Sequence, residues 1–79
     1  MSGWGVKSHK RIMIDDMKKM ISQDRSIHEI STHLFFKGCD YKRRSACIDV
    51  VSLYLRTADV VSGMTRESLI KALERGYFL

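Results

Sequence analysis

Proline is missing from all 79 residues, and apolar side chains return at steps of three and four along most of the chain. A proline removes a backbone donor and breaks a helix interior, so nothing here interrupts a helical period wherever the pattern supports one. Met13, Met17, Met20 and Ile21 share one face of a helix that starts near Ser8 or Lys10 and ends at Ser22, with Ile14 at its edge. Ile27, Ile30 and Leu34 form a second stripe; Cys47, Val50, Val51 and Tyr54 form a third; Leu69, Ile70 and Leu73 form a fourth. The expected fold is all-α, a compact four-helix domain.

Local signals set the expected boundaries. Ser26-Ile27-His28-Glu29 is a capping box that opens the second helix. Gly38 offers the left-handed residue that ends a helix, and Asp40 offers a cap for the next. A third helix over 41–55 follows. The pattern then breaks at 58–63, where Val60 and Val61 suit a short strand or a frayed continuation. Thr65 caps a fourth helix, with Met64 placed to staple onto Leu69 and Gly76 to stop it. Residues 1–7, two glycines around Trp4, read as a flexible N-terminal arm, leaving 8–79 as a single domain.

A chain of this length buries only about 60% of the surface its unfolded form exposes, so a partner subunit is a natural support and a homodimer is expected. The tail of Tyr77, Phe78 and Leu79, with Phe35 and Phe36, supplies more apolar surface than a monomer needs. These five residues are the expected dimer or partner interface. No run of about 18 apolar residues is present to span a membrane, and the basic N-terminus has no apolar stretch behind it. A cytoplasmic protein is expected. Cys39 and Cys47, if separated by a helical rise, lie about 12 Å apart, beyond the roughly 7 Å that a disulfide spans. Two free thiols are expected.

The formal charge is +5, the electrostatic footprint of a nucleic-acid binder at this size. Much of it gathers in Lys42, Arg43 and Arg44. With helix boundaries as above, these open the third helix, and a helix, a glycine turn and a basic helix form the pattern of a helix-turn-helix. Because cations are unfavourable at a helix N-terminus, three of them there point to function. Lys42 and Ser45 are placed to face bases, and Arg43 and Arg44 to reach phosphates or a guanine. Lys37, Arg56, Lys10 and Arg11 add expected backbone contacts.

Residues 26–55 resemble the helix-turn-helix of small bacterial, phage and plasmid regulators. The run YKRRSACIDVV at 41–51 resembles the recognition helix of small winged-helix activators. The resemblance implies a transcriptional regulator that places the third helix in the major groove of double-stranded DNA. The wing itself is expected to be absent or vestigial, since the stretch after the third helix is too short for a β-hairpin.

Other chemistries find little support. His28, His33, Cys39 and Cys47 lack the two-to-four-residue spacing of structural zinc ligands, and no metal or cofactor is expected. No phosphate loop, nucleophile elbow or zinc-protease motif occurs, so the chain is not expected to be an enzyme. The competing reading is a protein-binding module that docks through its apolar surface on a transcription factor, polymerase or nuclease without touching DNA.

Overall fold

The computed structural model describes residues 8–45 and 48–79; the expected N-terminal arm and Cys47 lie outside them. Four helices follow one another: α1 His9–Ser22, α2 Ile27–Ser45, α3 Ile48–Ser62 and α4 Arg66–Glu74. The described residues contain no strand, and the domain is the expected compact all-α arrangement of four helices.

Helix α1 begins where Ser8 Oγ accepts from the Arg11 backbone N–H at 3.2 Å, satisfying one of the donors a helix start leaves open. Its inner stripe buries Met13, Ile14 and Met17. It ends in a pair of closing bonds, Arg25 N–H to the Met20 carbonyl and Asp24 N–H to the Ile21 carbonyl, both 3.0 Å. Asp24 takes the left-handed conformation that this ending requires (φ 61°).

The capping box forms as expected. Ser26 Oγ accepts from Glu29 N–H at 3.1 Å, and Glu29 Oε1 accepts from Ser26 N–H at 3.2 Å. That backbone bond, with the Arg25 guanidinium 3.0 Å away, holds the Glu29 carboxyl below its ordinary pKa.

Past this point the expected boundaries fail. Helix α2 does not stop at Gly38 but continues for seven more residues to Ser45. The glycine is present for proximity. A Cβ added there would lie 2.9 Å from Tyr54 Cβ, closer than side chains pack, so only glycine lets α2 and α3 approach this tightly. Asp40 is therefore a mid-helix residue and not a cap. The inner stripe Ile30, Leu34, Gly38 and Tyr41 runs through without a break.

Helix α3 is correspondingly displaced towards the C-terminus. It starts at Ile48 instead of 41 and absorbs the stretch expected to break, because Thr57, Ala58 and Val61 continue the buried period begun by Val50, Val51 and Tyr54. Gly38 lies against Tyr54 and Leu55, and Ser31 and Phe35 face Ala58 and Ser62 across a groove. Rising numbers on α2 thus meet falling numbers on α3: the two form an antiparallel hairpin. A helix-turn-helix over 26–55 with its turn at Gly38 is not what this chain folds into, and no wing is found among the described residues.

Helices α1 and α4 complete one shared core of Met13, Met17, Ile30, Leu34, Tyr54, Val61 and Leu69, all fully enclosed. Thr65 caps α4 by accepting from Ser68 N–H at 3.1 Å, and Met64 packs against the core beside it. Gly76 ends α4 in the left-handed region (φ 74°), where Tyr77 N–H reaches the Ala72 carbonyl and Gly76 N–H the Leu73 carbonyl. Arg66 ties α4 back to the first loop. Its guanidinium donates to the carbonyls of Arg25 and Ile21 and pairs with Asp24 Oδ1 at 3.3 Å.

Candidate nucleic-acid interface

Lys42, Arg43 and Arg44 occupy the last turn of α2, the opposite helix end from the one expected. There the carbonyl ends of the helix favour cations, so the run stabilises the helix that carries it, and its placement is not electrostatically unfavourable. All three side chains are exposed, and none makes an ion pair among the described residues. Ser45 closes the same helix. The first turn of α3 carries Ile48 and Asp49 in their place.

Three aromatic rings bring α1 to this end of the hairpin. His9 meets Tyr41 edge-on with ring centres 4.8 Å apart, and Tyr41 stacks on Tyr54 at 5.3 Å. The Tyr54 hydroxyl donates to the His9 carbonyl at 3.4 Å; burial pushes its pKa up, so it remains a donor throughout the physiological range. The first turn of α1, with Lys10 and Arg11, therefore stands beside the last turn of α2. Five cations, Lys10, Arg11, Lys42, Arg43 and Arg44, share this end with two acids, Asp40 and Asp49. The other eight cations of the described residues are nearly matched by seven acids. Positive charge is thus concentrated at one end of the molecule.

Two of the expected contacts fall elsewhere. Lys37 is paired with Asp16 at 3.5 Å, and His33 Nε2 approaches the same carboxylate oxygen at 3.4 Å, so Lys37 serves the α1–α2 contact. Arg56 projects on the far flank of α3, where it lines a trough of about 420 Å³ with Lys10, Leu53, Thr57, Val60, Tyr77 and Phe78. Lys10 also turns this way, donating to the Leu79 carbonyl at 3.3 Å.

The five residues expected at one partner interface separate into two places. Phe35 and Phe36 are 49% and 62% exposed, edge-on to each other at 5.8 Å. They border a groove of about 550 Å³ floored by Ser31, Ala58 and Ser62. Phe78 packs on the core, whereas Tyr77 and Leu79 stay exposed. At 100° per residue, the α3 residues of the Phe35–Phe36 groove and those of the tail trough lie on opposite flanks of the buried stripe. One flat partner cannot cover both.

Sequence reasoning missed two exposed cations of α4 and its end, Lys71 and Arg75. Glu67 stands four residues before Lys71 at the spacing for a surface pair, yet the two do not pair. With Met64, Ser68, Ala72 and Tyr77 the two cations line a further trough of about 520 Å³. Cys39 is a free thiol, and no group of three His, Cys, Asp or Glu side chains gathers among the described residues. No helix among them is long and apolar enough to cross a membrane. In comparisons with known proteins, no family model, no curated protein and no solved structure matches the chain.

Proposed function

We propose that this chain binds double-stranded DNA as a small transcriptional regulator, holding the phosphate backbone at its basic end. The observation that carries the reading is the open cluster of Lys42, Arg43 and Arg44 beside the first turn of α1, which carries Arg11. Placed at the tip of a helix hairpin, these side chains suit phosphates better than base edges, because no helix start carries them into a groove. Backbone contacts of this kind provide affinity and position with little sequence information. Binding should therefore be steep in salt and tolerant of sequence.

A salt titration of duplex binding tests this. Affinity should fall log-linearly with salt, and Lys42→Gln or Arg43→Gln should each lower the slope by about one. Lys18→Gln, on an exposed part of α1 away from this end, should leave the slope unchanged. Absence of duplex binding at low salt would remove the reading.

A second reading has its own observation. The exposed pair Phe35 and Phe36 beside a groove with a small-residue floor suits a protein surface, either a second copy of this chain or a partner protein that it modulates.

A further inference from the structure

Tyr77 is the residue on which two troughs meet. On one side lie Lys10 and Arg56 with Leu53, Thr57, Val60 and Phe78. On the other lie Lys71 and Arg75 with Met64, Ser68 and Ala72. Each trough has two cations, and no acidic side chain lines either. The tyrosine between them is 63% exposed. Its ring is held edge-on to Phe78 at 5.0 Å, and Phe78 is anchored in the core. The left-handed turn at Gly76 fixes where this pair leaves α4. An aromatic ring with a supported position and an open face, flanked on both sides by cations in troughs that no acidic side chain lines, has a defined chemical complement: a chain of phosphates carrying flat bases.

We propose that this surface is a track for single-stranded nucleic acid, with Tyr77 as the stacking platform and Lys10, Arg56, Lys71 and Arg75 as phosphate contacts. Stacking on an aromatic ring needs an unpaired base, whose π-face a duplex hides, while the backbone runs along the cationic groove. Lys71 and Arg75 stand one helical turn apart, about 5–6 Å between their Cβ atoms, and so present charge along a line. Lys10 keeps two donors free after its bond to the Leu79 carbonyl. The same residue belongs to the basic end, so a strand leaving a duplex held there would meet the track directly. The track extends the duplex reading and does not depend on it.

The test is fluorescence anisotropy of the full chain with a labelled oligothymidylate of about 12 nucleotides, within the site sizes such surfaces cover. Tyr77→Ala should weaken binding about tenfold, the equivalent of one stacked base, and Tyr77→Phe should restore it. Lys71→Gln combined with Arg75→Gln should flatten the salt dependence by about one to two phosphates. All are exposed positions, and circular dichroism checks that each variant folds. Unchanged affinity in Tyr77→Ala overturns the track. So does Tyr77-dependent binding of an acidic, aromatic peptide by a chain that ignores the oligothymidylate. A chain that binds the single strand through Tyr77 but no duplex keeps the track and loses the duplex reading; the reverse result keeps the duplex reading and loses the track.

Discussion

Gly38 carries more of this fold than any charged residue does. In an exposed helix interior, replacing glycine with alanine gains about 1 kcal/mol of helix propensity. Here the added methyl would meet the Tyr54 Cβ at 2.9 Å, a position fixed by the α3 backbone and unable to swing aside. Forcing an extra carbon into such a contact costs about 1–3 kcal/mol, which exceeds the propensity gain. Gly38→Ala should therefore lower the urea midpoint, a net loss of about 1 kcal/mol, with the slope unchanged. A rise in midpoint would mean that the hairpin spreads at no cost. The same contact bears on the functional geometry, because α2 runs on past it and carries Lys42, Arg43 and Arg44 to the hairpin tip.

At the level of elements, the short connection between α1 and α2 is secured by two different means. The loop between α1 and α2 is held by Arg66, whose guanidinium serves two carbonyls and the Asp24 carboxylate. The Ile21 carbonyl belongs to the C-terminal turn of α1, where orphan acceptors favour a cation. Arg66→Ala should destabilise the domain by about 1–2 kcal/mol, reduced from the range for charged hydrogen bonds because the site is part-exposed. Arg66→Lys should recover little of it, since a single ammonium cannot span several acceptors as a planar guanidinium does. Thermal or chemical unfolding of the two variants checks both statements. Full recovery by lysine would reduce the clamp to a simple charge effect. Helix α2, by contrast, is closed at its start by the capping box, which was legible from Ser26 and Glu29 alone because all its atoms lie within four residues.

For the molecule as a whole, the basic end and the exposed Phe35–Phe36 pair occupy different surfaces. The cationic excess sits at one end, and the Phe35–Phe36 groove lies on a flank of the hairpin. A self-complementary interface needs the same patch to supply a projection and a recess, and Phe36 beside the groove floor provides both. If the chain dimerises through this face, Phe36→Glu should convert a dimer to a monomer in sedimentation equilibrium while leaving the helix content intact. A dimer that survives the substitution would place the subunit contact elsewhere. Because the tail residues lie on the opposite flank of α3, they remain open for nucleic acid in either state.

What could be read from the residues in order was the local part: an all-α chain of four helices, the caps at Ser26 and Thr65, the stop at Gly76, and most of the buried stripes, although Ile70, expected inside, is exposed. Capping, helical period and proline content act over a few residues and need no knowledge of the neighbours. The boundary between α2 and α3 needed that knowledge. A glycine ends a helix or lets two helices touch according to what faces it, and Tyr54 is sixteen positions away. Moving that boundary by seven residues turned Lys42, Arg43 and Arg44 from the start of one helix into the end of another. Only the packing of α1 against the hairpin tip and of the tail against α3 gathered Lys10 with the first basic cluster and Arg56 with Tyr77. These are contacts between distant segments, and the energy that selects them comes from the shared core.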